Sequence, residues 1–256
     1  MRRRIASKGA GCALLTAAML GAVLLSGTAA VAQEKEKKSM IPGTFSANVA
    51  LTSEYYFRGI SQTDDKPALQ GGFDYEVAVA KPVSVYAGVW GSNVDFNEST
   101  TDGASVEIDW YGGLRGKIAD TGLSWDVGAI YYSYPGANAD FNYNFWEAVG
   151  SLGYDFGVAS VTASLNWTPD NTTDLGEGRY SKFAVDVPVP GVENLTLSAY
   201  VADVYIEKGD SYLEWNFSAG YSVLGFDLSV AYSDTDISPE GDGNSEAVIF
   251  TVSRSF

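Results

Sequence analysis

Apolar and hydrophilic side chains alternate at every second position through most of this chain, and a period of two admits strands and little else. One stretch sets Phe45, Ala47, Val49, Leu51, Tyr55 and Phe57 against Ser46, Asn48, Thr52, Glu54, Tyr56 and Arg58. Another sets Ala159, Val161, Ala163, Leu165 and Trp167 against Ser160, Thr162, Ser164, Asn166 and Thr168. Helical spacing is scarce, and after the leader described below no apolar run reaches the roughly 20 residues a helical membrane span needs. The pattern predicts strands near residues 44–58, 67–80, 83–94, 104–117, 123–134, 143–155, 158–168, 179–188, 195–205, 211–222, 226–236 and 245–256. These are about 12, an even number, as closed antiparallel membrane sheets have. Their connections alternate: residues 81–82, 118–122, 156–157, 189–194 and 223–225 are short, while 59–66, 95–103, 135–142, 169–178, 206–210 and 237–244 are longer or more acidic.

The first residues read as an export signal. Met1-Arg2-Arg3-Arg4 and Lys8 form a cationic start, an uncharged apolar stretch runs through Leu25, and Ala30-Val31-Ala32 before Gln33 fits a small-residue cleavage site. The expected organisation is therefore a cleaved signal peptide at 1–32, a short charged periplasmic tail at 33–43 and one barrel domain from 44 to 256. The leader removes four bases and no acid, so the formal charge falls from −16 to −20. Nucleic acid is excluded as a partner by that charge. The single cysteine, Cys12, lies in the leader, which leaves no disulfide framework and no thiolate metal ligand.

A soluble sandwich or ligand-binding cup also alternates, but it buries its apolar face in a shared core. Here the hydrophilic face carries Glu54, Arg58, Asp74, Glu76, Glu107, Asp109, Arg115, Asp126, Glu147, Lys182, Asp186, Glu214 and Asp227. So many ionisable groups belong against water. The expectation is an all-β, transmembrane antiparallel β-barrel of about 12 strands with both termini periplasmic, these residues lining its lumen and the apolar face turned to lipid. Ten acids against three bases on that face predict a preference for cations. Inward glycines at Gly72, Gly88, Gly113, Gly128, Gly153 and Gly220 leave space, whereas Tyr86, Trp90, Tyr132, Tyr134, Tyr200 and Tyr212 take it away.

The final stretch, Ser245 to Phe256, places Val248, Phe250, Val252 and Phe256 on one face and resembles the C-terminal strand of bacterial outer-membrane barrels. Phe256 is the expected barrel-assembly signal, with Arg254 as a departure from the usual aromatic or aliphatic residue. The block Ser53-Glu54-Tyr55-Tyr56-Phe57-Arg58-Gly59-Ile60-Ser61-Gln62, followed by Pro67-Ala68-Leu69-Gln70-Gly71-Gly72-Phe73-Asp74-Tyr75, resembles the opening strands of the proteobacterial TorF-type porins. Gly88 to Val94, Glu107 to Gly113 and Tyr132-Ser133-Tyr134-Pro135-Gly136 match as well. The resemblance implies an outer-membrane porin without a defined substrate and brings no catalytic residue.

Chemistry is bounded mainly by what is missing. With no histidine anywhere, a Ser-His-Asp hydrolase or a His-ligated metal centre cannot be built. Carboxylates alone remain, and a solvated charged lumen explains them more simply than catalysis does. The acidic loops with Asp234, Asp236, Glu240 and Asp242, and with Asp170, Asp174 and Glu177, lack the spacing of a calcium-binding loop and read as solvated charge. No cofactor and no metal is expected. The expected activity is passive diffusion of small hydrophilic solutes across the outer membrane, the alternative being a non-conducting barrel that acts as adhesin, receptor or envelope-structural protein. The expected partners are outer-membrane lipid and lipopolysaccharide, the barrel-assembly machinery and the solutes; the oligomeric state cannot be read.

Overall fold

The computed structural model describes residues 42–96, 103–118, 120–237 and 246–256. The expected leader, most of the 33–43 tail and the Glu240–Asp242 acids lie outside the described residues. Fourteen strands follow in order: β1 (Thr44–Thr52), β2 (Tyr56–Phe57), β3 (Ile60–Ser61), β4 (Ala68–Ala80), β5 (Val83–Asn93), β6 (Val106–Lys117), β7 (Leu123–Ser133), β8 (Phe145–Asp155), β9 (Ser160–Thr168), β10 (Gly178–Pro188), β11 (Leu195–Ile206), β12 (Tyr212–Val223), β13 (Phe226–Thr235) and β14 (Ala247–Ser255). All but β2 and β3 form one closed, antiparallel 12-stranded barrel in which β1 pairs with both β4 and β14. Closure leaves no open edge, which is the condition for a sheet to stand in lipid.

Alternation decides which way each side chain looks. On β1, Phe45, Val49 and Leu51 are exposed on the outside, while Thr52 is buried inside. Leu69 and Phe73 on β4, Trp110 on β6, Trp146 on β8 and Phe217 on β12 continue the apolar exterior. Because the side-chain period is two, one residue of slippage would turn every lumen acid toward lipid, so the ladders are strongly specified. The seam is short: β1 and β14 share five register pairs, from Asn48 with Ser255 to Thr52 with Thr251, against nine between β1 and β4. Ala47 and Phe256 extend it by exchanging two backbone hydrogen bonds of 3.2 and 2.9 Å. Phe256 and Arg254 are exposed at that rim, with the Arg254 guanidinium 5.2 Å from the rings of both Phe226 and Phe256. Arginine at this depth is covered by aromatic surface, which moderates the cost of its charge near lipid.

Two departures from the sequence reading concern the interior. The first strand ends at Thr52 and does not continue to residue 58. Tyr55 and Phe57, which share the outward face of the alternating stretch, turn inward instead, Tyr55 being only 4% exposed. Second, the inward glycines do not leave open space throughout. Tyr111 lies opposite Gly88, and Tyr86 lies opposite Gly113, each ring folding over its glycine, so that a Cβ on Gly88 would come within 2.5 Å of the Tyr111 ring. Glycine there permits the close approach of an aromatic ring from the next strand.

Candidate channel lumen

Residues 53–67 connect β1 to β4 and fold into the barrel as a hairpin. Its ladder pairs Tyr56 with Ser61 and Phe57 with Ile60, and Gln62 N donates to Tyr55 O at 2.7 Å. The turn is Arg58-Gly59, with φ of 53° and 76°. Positive φ at both central residues makes the tight primed turn whose twist matches its strands, and glycine supplies one of them without strain.

That turn delivers Arg58 to the far wall. Its Nη2 donates to Glu147 Oε1 at 2.6 Å and Oε2 at 2.7 Å on β8. The guanidinium also stands 4.6 Å from the rings of Phe57 and Tyr180, on the hairpin and β10. Tyr212 Oη on β12 donates to Arg58 O at 2.9 Å. Glu147 accepts two further bonds, from Asn166 Nδ2 at 2.8 Å and Tyr132 Oη at 3.2 Å. The pair is buried and the carboxylate well supplied with donors, the arrangement that buried ion pairs require. Beside it an aromatic cluster fills the space toward the long loops: Tyr55, Trp90, Tyr132, Tyr134, Tyr143 and Phe145, with Phe57 packed against them. Ile60 packs on a second cluster of Tyr180, Ala202, Val204 and Tyr212.

Two acids in this half are not provided for. Glu107 and Asp109, two apart on the inner face of β6, are 1% and 0% exposed. Tyr55 Oη reaches Glu107 Oε1 at 3.4 Å, but Glu107 Oε2 and both Asp109 oxygens are buried without a hydrogen-bond partner. Neither forms an ion pair among the described residues.

Toward the terminus rim the lumen is more open. Arg115 on β6 pairs with Glu76 on β4 at 2.5 Å and lies 4.7 Å from the Tyr86 ring. Tyr86 donates to Asp126 at 2.7 Å, Tyr111 to Asp74 at 2.5 Å, Ser198 to Asp186 at 2.6 Å and Ser222 to Asp227 at 2.5 Å. Midway, Glu214 accepts from Tyr180 at 3.0 Å and Tyr200 at 2.5 Å, with Lys182 Nζ 5.3 Å from the Tyr200 ring.

Of the residues expected to face inward, all those on barrel strands do: Asp74, Glu76, Glu107, Asp109, Arg115, Asp126, Glu147, Lys182, Asp186, Glu214 and Asp227. Glu54 and Arg58 sit on the infolded loop and not on the wall; burial pushes the Glu54 carboxyl above its ordinary range. The structure unites Arg58, Glu147, Glu107 and Asp109 around the hairpin and separates them from the Glu76, Arg115 and Asp126 group. Sequence reading missed the hairpin, together with Thr63, whose Oγ1 accepts from Tyr55 N at 3.1 Å, and Asn166 and Tyr180 as Arg58–Glu147 supports. The one signal available was Arg58-Gly59 between the aromatic pair Tyr56-Phe57 and the β-branched Ile60. No group of three or more His, Cys, Asp or Glu suited to a metal is present among the described residues.

Comparison with solved structures finds the same barrel fold in other proteins. The KdgM porin superposes with a TM-score of 0.52 at 9% identity, covering 82% of this chain and 98% of that one. A chain from work on the in-meso crystallisation of membrane proteins gives 0.54 at 8% identity, covering 83% of each. The COG4313 outer membrane channel from Pseudomonas putida F1 gives 0.49 at 9%, covering 87% of this chain and 99% of that one. At such identities the likeness is one of fold. No curated protein matches the chain in sequence. Residues 36–256 match the Gcw_chp family of bacterial proteins of unknown function, and the chain belongs to that family.

Proposed function

We propose that the protein is a porin-like channel of the outer membrane that passes small hydrophilic solutes and prefers cations. The observation that carries this reading is the charge of the inner wall. A barrel that only filled its interior would be expected to use apolar groups, because each buried charge is costly. This one turns ten acids inward or onto the infolded loop (Glu54, Asp74, Glu76, Glu107, Asp109, Asp126, Glu147, Asp186, Glu214 and Asp227) against three bases (Arg58, Arg115 and Lys182). Two of the bases are already matched, by Glu147 and Glu76. The surplus is negative, and fixed charge in a narrow, low-dielectric-walled lumen concentrates counter-ions.

The likeness to porin folds and the TorF-type opening block support the same reading. So does the contrast between short turns at one rim and long loops at the other, the asymmetry of barrels whose termini are both periplasmic. Lipid, lipopolysaccharide and the assembly machinery are its partners in that setting. A specific observation favours a second reading: the hairpin lies across the lumen, as it would in a non-conducting barrel with a surface-binding or structural role. Reversal potential across a KCl gradient in a planar bilayer tests both. Cation preference that fades as the Debye length falls from about 10 Å at 0.1 M toward about 3 Å at 1 M is expected. Anion preference overturns the charge assignment, and silence of folded barrels selects the second reading.

A further inference from the structure

The hairpin crosses the lumen without belonging to the barrel. Each of the 12 barrel strands has both its neighbours without it, and the hairpin's own ladder is closed on itself through Tyr55 and Gln62. Its backbone meets the remainder of the chain beyond its two ends through Tyr212 Oη on Arg58 O and Asp95 N on Gln62 O, at 2.9 and 2.8 Å. Its other contacts shown among the described residues are made by side chains. It can therefore leave as a unit with no barrel rung broken.

Two electrostatic terms act on it in opposite directions. The Arg58–Glu147 pair, with Phe57 and Tyr180 rings on the guanidinium, holds it in. Removing one partner of such a pair strands a buried charge, which is why the pair resists separation unless water replaces it. Against this stand Glu107 and Asp109. Three of their four oxygens have no hydrogen-bond partner, and the fourth, Glu107 Oε1, accepts a long bond of 3.4 Å from Tyr55 Oη on the hairpin itself. Withdrawal gives up that one long bond and lets water reach all four oxygens, so the inserted state carries a penalty the withdrawn state lacks.

We propose, building on the channel reading, that residues 55–63 form a latched gate: the Arg58–Glu147 pair holds the hairpin across the pore, and the donor-starved Glu107 and Asp109 favour its withdrawal toward the long-loop rim. The closed state is the one described here. Selectivity and opening then reside in different residues, the rim acids setting the first and this foursome the second.

Single-channel recording on the full barrel in planar bilayers reads the balance. Arg58→Ala should raise the open fraction at least about tenfold, and Glu107→Gln with Asp109→Asn should lower it by a similar factor, since each alters one side of a two-state equilibrium. Arg58→Lys should fall between wild type and Arg58→Ala, because an ammonium cannot reproduce the planar fork stacked between two rings. A lock completes the test. A Cβ on Gly59 would collide with Thr235 Cγ2, a clash that replacing Thr235 removes although the turn keeps the strain of a φ of 76°, and the chain's single cysteine is Cys12, so Gly59→Cys with Thr235→Cys gives one new pair. Oxidised, it should lose conductance; reductant should restore it, and Gly59→Cys alone should not respond.

Conductance that is the same in the oxidised and reduced lock, or equal open fractions in Arg58→Ala and the double neutral variant, would overturn the gate while leaving a channel beside a fixed hairpin. Silence of Arg58→Ala and of the reduced lock, both shown to be folded by heat-modifiable migration, would overturn the channel reading and the gate with it.

Discussion

Arg58 and Arg115 both meet a carboxylate inside the barrel, yet the two sites are built differently. Arg58 and Glu147 are 9% and 1% exposed, and five further side chains attend them, two of them rings on the guanidinium. Arg115 and Glu76 are 18% and 33% exposed, and the guanidinium has one ring beside it. The first pair closes a long insertion onto the opposite wall; the second joins near neighbours across the short β4–β6 distance and keeps water. In the long-loop half charge is used to hold something in place. In the terminus half it is left in reach of water.

That contrast can be broken at several points. The largest effect is expected at the terminus rim, where Phe256→Asp places a carboxylate at the lipid boundary beside the seam. Loss of nearly all membrane-inserted, heat-modifiable protein is expected, measured by fractionation, because a sheet that fails to close exposes unpaired backbone to lipid. Normal yield would show that assembly does not depend on this residue. Next comes Glu147→Leu, which leaves the Arg58 charge without its partner at a cost of about 3–5 kcal/mol. The cost should fall on the hairpin and not on the barrel: amide exchange at residues 55–62 should accelerate on the order of 100-fold while barrel strands stay protected. Arg115→Leu should change barrel unfolding by about 1 kcal/mol or less and leave hairpin exchange untouched. Equal effects of the two would erase the distinction between the halves.

The smallest effect is expected outside the lumen, at Lys66, whose Nζ lies 3.0 Å from Asp64 and 2.6 Å from Asp95 in full solvent. Hydrogen bonds to Asp95 and then Asp64 hold its ammonium above the ordinary lysine value. A raised folded-state value means the contribution is present throughout neutral pH and lost only as pH climbs past about 10.4 and through the raised value. Lys66→Met should thus be indistinguishable from wild type in urea unfolding at neutral pH and moderate salt. A clear neutral-pH defect would make these loop contacts belong to the gate.

The barrel was legible because lipid enforces a single rule on every strand. Apolar residues at every second position, as in Phe45, Val49 and Leu51, can only face one way once the other face carries Asp74, Glu107 or Glu214. The hairpin was not legible for the same reason. Tyr55 and Phe57 continue the outward parity of β1, so period alone extends the strand through residue 58. What reverses them is three-dimensional: Thr63 capturing the Tyr55 amide, and Arg58 finding a carboxylate 89 positions away on β8. Ring-over-glycine packing at Gly88 and Gly113 was hidden likewise, since a glycine reads as space until the neighbouring register supplies the tyrosine that fills it.

The short seam between β1 and β14 bears on how this molecule would respond to force. Thr44 and Ser255 begin and end these adjacent strands at the same rim, so tension applied between the two ends of the chain acts across the seam and not along it. Rungs loaded in that direction break in succession, like a zip, instead of resisting together as they do in shear. Once Ser53 and Phe250, which are bonded just beyond Thr52 and Thr251, separate as well, the cylinder becomes an open sheet and the remaining hairpins have no common wall to brace them. Pulled from its termini, the barrel is thereby loaded in the weaker direction along the line where its first and last strands meet.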